Sequence, residues 1–379
     1  MGLAQEEAVL TDTLPSPARR RWLGLLASLP MLGRAGTLSA APLPSSPSPS
    51  SPSTGPLERV RFPDGAMILV AGPDGGVMDR WARAVQPVLA QSLAAGVVVQ
   101  QIAVGGADGV TGANQFDVRV TPDGRTILLT PGEAVLAWLV GDPRAKFDVA
   151  HWVPVMACVT PAVVVGRPAA FANAGMVRVA ASKPAGPDLP ALLGIELLGE
   201  RAELVAGIAD EDALQAAFAR GAVDAVLLHG HRVPDQARAL AHLGVAPVFS
   251  FGMVDELGNA GRCSAFPSIP HFAEFYATRR GTLPSGPLFT AWRAAAAATQ
   301  LEFGMVLSQV TPADMVALWR RAGADAAGAL DVRSLAMSLE ASPLSGPTAT
   351  ATATAVAADA PALVGLRDWL ATRFNWRPT

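Results

Sequence analysis

The stretch MILVAGPDGGVMDRWARAVQPVLAQSL, residues 67–93, decides the fold class. An apolar run over 67–71 meets the turn Gly72-Pro73-Asp74-Gly75-Gly76. Beyond it, Val77, Trp81, Val85, Val88 and Leu89 recur at helical spacing. The pattern reads as strand, Gly-rich loop and amphipathic helix. The first turn of such a helix carries backbone N–H groups with no intrahelical acceptor at the positive end of the helix dipole. That arrangement favours an anion.

Outward from this unit, strands and helices keep alternating. A β-branched strand is expected over residues 97–102, with a second Gly-rich loop over 105–112. Pro122-Asp123-Gly124 turns into a strand over 125–130, and 152–165 reads as buried strand broken at Pro161. A second set follows, with strands over 177–181, 223–228 and 246–251 and helices over 189–200 and 210–220. Asp210, Glu211 and Asp212 stand where acids favour a helix N-terminus. An Ala-rich helix is expected over 288–307, and Thr311-Pro312-Ala313-Asp314 starts another that Gly323 should end. The Thr/Ala tract over 347–355 reads as a loop or insertion, and 363–376 as an amphipathic helix. The alternation predicts an α/β fold with mostly parallel sheets.

Composition narrows the function classes. Net charge is only −3 over 379 residues, so no electrostatic footprint for nucleic acid is present. Arg19, Arg20 and Arg21 precede an apolar stretch, and small residues follow up to a plausible cleavage point after Ala40. Residues 1–40 thus read as an export signal. Arg19-Arg20-x-Trp22-Leu23 is similar to a twin-arginine signal, while Ala18 stands where that signal prefers Ser or Thr, so Sec export stays open. Residues 41–57 form a Pro/Ser-rich linker. No later run is long and apolar enough for a transmembrane helix, so a periplasmic protein is expected. Cys158 and Cys263 could pair in such a compartment, or remain buried thiols.

Several chemistries are disfavoured. Gly72, Gly75 and Gly76 miss the Gly-x-Gly-x-x-Gly spacing, and no Gly-Lys-Ser/Thr follows, so neither a nucleotide loop nor a cofactor is expected. His229-Gly230-His231 has metal-like spacing but no completing ligand, and reads as a surface turn. No nucleophile elbow occurs, so an enzyme is not expected. The two Gly-rich loops follow successive strands and should meet at one sheet edge, where open α/β folds place ligands.

These loops resemble those of a known family. Residues 70–83, Val-Ala-Gly-Pro-Asp-Gly-Gly-Val-Met-Asp-Arg-Trp-Ala-Arg, resemble the first-loop signature of the TctC-like, or Bug-type, receptors of tripartite tricarboxylate transporters. Gly106-Ala107-Asp108-Gly109-Val110-Thr111-Gly112-Ala113 resembles the family's second loop. Pro122-Asp123-Gly124-Arg125-Thr126, Gly221-Ala222-Val223-Asp224 and Thr311-Pro312-Ala313 resemble later landmarks in the same order.

The resemblance implies a two-lobe periplasmic-binding-protein-like fold closing on a small organic acid, delivered to membrane transporter subunits of the tripartite type. It implies a monomer without cofactor or metal. Residues 58–165 with 285–379 would form one lobe and 166–284 the other. Pro73, Asp74, Gly75, Gly76 and Asp79 would line the ligand from the first loop, and Ala107, Asp108 and Gly109 from the second. Thr130 would face the cleft, and Ser182 would bond the far end of the ligand. Asp74 and Asp108 depart from the family's neutral residues. They raise a ligand with an amino group as one possibility and carboxylate recognition by Lys183 as another. A degenerate receptor acting as a sensor or interaction module, and an exported enzyme on the same scaffold, are the rival readings.

Overall fold

In a computed structural model of the protein, the described residues are Phe62, 65–94, 96–172 and 175–377. The expected signal over 1–40 and the linker over 41–57 lie outside them. The quoted stretch forms β1 (Ala66–Ala71) and α1 (Val77–Leu93). β2 (Val99–Val104), α2 (Val110–Arg119), β3 (Thr126–Thr130), α3 (Gly132–Val140) and β4 (Trp152–Val159) follow. β1 runs parallel to both β2 and β3, with Leu69 opposite Ile102 and Leu128. Alternate side chains leave opposite faces of a strand. Ile68, Val70, Ile127 and Leu129 pack with Trp81, Val85 and Leu89 of α1. Leu69 and Leu128 pack on the other face with Val110, Phe116 and Val135. Burial on both faces is why β1 and β3 read as unbroken apolar runs.

After Thr160-Pro161 the chain builds a second sheet. Its elements are β5 (Ala162–Gly166), β6 (Met176–Ala180), α4 (Leu189–Leu197), β7 (Arg201–Val205), α5 (Glu211–Ala219) and β8 (Ala225–His229). Then come α6 (Val233–Leu240), β9 (Ala246–Ser250), a small hairpin of β10 (Met253–Val254) and β11 (Ala260–Gly261), and α7 (Phe272–Arg280). Asp210 caps α5 as expected, accepting the Ala213 amide at 2.8 Å. Asp224 fixes β8 against β6: Oδ1 takes Arg178 Nη2 at 2.7 Å and Oδ2 takes Arg178 Nε at 2.8 Å.

The last part returns to the first sheet through α8 (Pro287–Gln300), β12 (Leu301–Ser308), α9 (Ala313–Gly328), α10 (Leu330–Ser338), β13 (Ser342–Ser345), α11 (Gly346–Val356) and α12 (Ala360–Phe374). Four expectations change here. The Ala-rich helix stops at Gln300, and 301–308 is strand, because Phe303, Met305 and Leu307 alternate into the core under α1. α9 runs through Gly323, whose missing side chain lets the helix approach β4: a Cβ there would lie 2.8 Å from Val155 Cγ1. The Thr/Ala tract is helical and packs on α8 and β4. Its Thr350, Thr352 and Thr354 hydroxyls donate to carbonyls four residues back. Thr311 makes no side-chain cap, since Pro312 occupies that position.

The first sheet has the order β13-β4-β12-β3-β1-β2 and the second β7-β6-β8-β5-β9. Each is mixed rather than mostly parallel. The β1–β3 and β6–β8 portions are parallel, whereas β12, β4 and β5, which carry the chain between sheets, pair antiparallel. β5 belongs to the second sheet, so the chain leaves the first sheet near residue 160 and not after 165. The two crossings touch, because the Thr160 amide donates to Gln300 O at 2.8 Å. Cys158 and Cys263 are separate buried thiols in different cores, not a disulfide, and burial pushes both above the usual thiol range. Among the described residues, no single helix is long and apolar enough to cross a membrane. The α11–α12 pair bends by 50°, and both helices pack on α8.

Candidate functional site

The loops after β1, β2 and β3 open onto one cavity of about 430 Å³. That lies within the range of about 300–1,000 Å³ usual for small-molecule sites. Pro73, Gly76, Val77 and Met78 line it from the first loop, Ala107 from the second, and Pro131, Gly132 and Glu133 from the start of α3. Pro187 and His229 to His231 face them from the second sheet. Thr160, Thr299, Leu301 and Glu302 line it where the chain passes between sheets.

The local sequence explains the loop shapes. The Gly76 amide donates to Pro73 O at 3.1 Å, closing the first loop. The Gly75 amide donates to Asp79 Oδ2 at 3.0 Å. Asp79 is only 2% exposed, and also accepts Arg83 Nε at 2.9 Å and Gln101 Nε2 at 2.8 Å. Its oxygens are occupied by the protein, so Asp79 clamps the loop from behind. Gly109 has φ +71°, and a Cβ on it would lie 2.5 Å from Pro131 Cδ, so the second loop can lie against the start of α3 only with glycine there. The first turns of α1, α2 and α3 therefore meet at one edge. Helix amides there lack intrahelical partners, which suits an anionic ligand.

Each of the two unexpected acids pairs with an arginine that it shares with a second carboxylate. Asp74 points outward and pairs with Arg83 at 3.3 Å. Asp108 Oδ2 lies 2.8 Å from Arg144 Nη1. Arg144 also pairs with Asp142 at 2.7 Å, and its hydrogen bonds hold the Asp142 carboxyl below the usual range. Neither Asp74 nor Asp108 lines the cavity. Lys183 does not line it either, although its charge is felt by Glu133.

Other predicted residues are dispersed. Thr130 is buried on a different face, its Oγ1 unpaired beside a separate cavity of about 40 Å³. Ser182 lines a neighbouring cavity of about 310 Å³, where its amide and hydroxyl both donate to Asp188 Oδ2, at 2.9 and 3.3 Å. His229 borders both this cavity and the main one.

Sequence reasoning missed Glu133 and Glu302, and placed His229 and His231 at the cleft only under the rival enzyme reading. His229 ends β8, at a strand edge like those carrying the two Gly-rich loops, so the sheet-edge rule would have found it. Burial lowers the His229 imidazole, opposed by Asp188 and Glu302. Burial raises the Glu133 carboxyl, with Lys183 opposing and Asp108 reinforcing. Glu302 Oε1 accepts Trp81 Nε1 at 3.0 Å and meets His231 Nε2 at 3.2 Å. The His-Gly-His turn is thus part of the cavity wall and not a free surface turn. Among the described residues, no cluster of three side chains could hold a metal.

No family model matches the chain. No curated protein matches it in sequence. A solved TctC solute-binding protein from Polaromonas is similar in structure, with a TM-score of 0.57 and 15% identity over 80% of this chain and 99% of that one. The fold is that of a TctC solute-binding protein. Among further TctC-like neighbours, MatC from Rhodopseudomonas palustris, solved with bound malate, has a TM-score of 0.44 and 18% identity, covering 80% of this chain and 98% of its own. The periplasmic binding protein BugD has a TM-score of 0.44 and 15% identity, covering 82% and 97%. In the TctC fold the two sheets are the cores of two lobes, and the cavity lies in the cleft between them.

Proposed function

We propose that this protein is an exported TctC-type receptor. It would capture a small organic acid, a carboxylate or an amino acid, between its lobes and deliver it to a tripartite tricarboxylate-type transporter in the membrane. One lobe would comprise about residues 58–160 together with 285–379, and the other the segment between. The observation that carries the reading is the open cavity where the first turns of α1 and α3 and the second loop at Ala107 meet the loops of the second sheet. A degenerate receptor would be expected to have this space filled by side chains. The sequence resemblance of both Gly-rich loops supports the same family.

In this reading, the amides of Val77 and Met78 and the second loop at Ala107 hold the acid group. Pro73, Gly75, Gly76 and Gly109 shape those loops. The mechanism is binding without chemistry: ligand touching both lobes stabilises the closed state and shifts the population toward it. A thermal-shift screen of the full chain against carboxylic and amino acids tests this, because a ligand of the native state raises Tm by mass action. A selective rise, abolished by Ala107→Trp, is expected. No shift across the panel would overturn the reading.

A further inference from the structure

Trp81, Glu302 and His231 form a connection that recognition of an acid does not require. Trp81 sits in α1, fully buried, with its ring tilted against Phe303 at a centroid distance of 5.0 Å. Its indole N–H holds Glu302 Oε1 at 3.0 Å, just past the second crossing. His231 comes from the turn after β8 and reaches the same oxygen at 3.2 Å. The Glu302 side chain is only 11% exposed and that of His231 31%. A carboxylate this enclosed has one neutral donor from its own lobe. Its charge is balanced locally only when the imidazole carries a proton.

We propose that Glu302 and His231 are positioning residues that latch the second lobe onto the first, and that the latch tightens when His231 is protonated. The proposal rests on reading the cavity as a cleft that opens and closes. Histidine changes charge between about pH 5 and 8. The sign follows directly: with a protonated imidazole the pair is ionic and the closed state gains, whereas a neutral imidazole gives the carboxylate only an N–H donor. The other charged groups around it are His229, which senses Asp188 and Glu302, and Glu133, which senses Lys183 and Asp108. Arg232 follows His231 directly and Asp235 lies one turn along α6.

The test measures lobe separation in the ligand-free full chain. Spin labels on Val118→Cys in α2 and Glu203→Cys in β7 report it, since both positions are exposed and the native thiols are buried. The closed-to-open ratio should be roughly two- to fivefold higher at about pH 6 than at about pH 8, the range of a partly exposed ion pair. His231→Gln keeps a neutral donor and should flatten this response in a normally folded protein. Glu302→Gln should do the same. A wild-type distribution identical at both pH values, or a His231→Gln response equal to wild type, would overturn the latch. Added succinate or glutamate separates the two readings. A pH response with no ligand response to any acid leaves the latch and removes the receptor, and the converse removes the latch alone.

Discussion

Arg144 Nη1 lies 2.8 Å from Asp108 Oδ2, so the acid in the second Gly-rich loop faces a guanidinium and not the ligand space. Removing the cation should restore the conflict that the sequence suggested. Arg144→Ala is expected to weaken binding of an anionic ligand by roughly three- to tenfold, more at low salt, because charges beyond a Debye length are screened. Stability should change by less than about 1 kcal/mol, since the Arg144 side chain is 61% exposed. Titration calorimetry at two salt concentrations checks it; equal affinity for wild type and variant would sink the idea.

Asp79 satisfies three donors from a nearly buried position, and no ligand need touch it for the loop to depend on it. Asp79→Ala should cost about 2–4 kcal/mol, because it leaves the Gly75 amide and Gln101 amide without their acceptor. Asp79→Asn, which keeps an acceptor, should cost less. Urea unfolding of the two variants gives the comparison; a larger loss in the Asn variant would contradict the clamp.

Asp224 predicts a pH effect. Burial alone would raise its carboxyl, but the Arg178 side chain and backbone amide outweigh this and leave it below the usual range. A depressed acid contributes stability above its unfolded pKa, about 3.9, and loses it as pH falls through the folded value. Asp224→Asn should therefore destabilise by about 1–2 kcal/mol at neutral pH, discounted because the Arg178 side chain is 36% exposed. The gap from wild type should shrink as the pH drops below about 4. Urea midpoints across the acid range test this, and a gap independent of pH would count against it.

Gly132 and Gly328 should respond in opposite directions. A Cβ on Gly132 would stand 1.9 Å from Ala298 O, so α3 can rest on α8 only without one. Gly132→Ala is expected to cost more than about 2 kcal/mol. Gly328 ends α9 with nothing within 4 Å of a Cβ, so Gly328→Ala should be neutral or stabilise by up to about 1 kcal/mol. Thermal melts of both single variants are sufficient, and a stable Gly132→Ala protein would show that α3 and α8 can part.

The architecture was legible wherever punctuation was strong. Gly72 to Gly76 and Pro122 to Gly124 mark their strands, because few other residues suit such turns. The Ala-rich stretch was misread because Gln300-Leu301 joins helix to strand with neither Gly nor Pro between them. Only the alternation of Phe303, Met305 and Leu307 marked the change. The Thr/Ala tract was misread because its threonines are weak helix formers, and packing on α8 and β4 together with the alternating alanines outweighs them. At the site, the loop backbones could be anticipated, but Glu302 and His231 could not. Seventy-one positions separate them, and only the mutual placement of two sheets brings them together.

The hydrogen bond from Thr160 to Gln300 has a mechanical consequence. Two independent connectors would let the lobes slide, twist and splay separately. Stitched side by side, the crossings are held at one point, and α8 and α12 add further ties to the second sheet through Trp292 Nε1 to Pro190 O at 2.8 Å and Arg373 Nε to Glu196 Oε1 at 2.7 Å. Gln300 reinforces this by donating its side-chain amide to Gly252 O at 2.7 Å, beyond the end of β9.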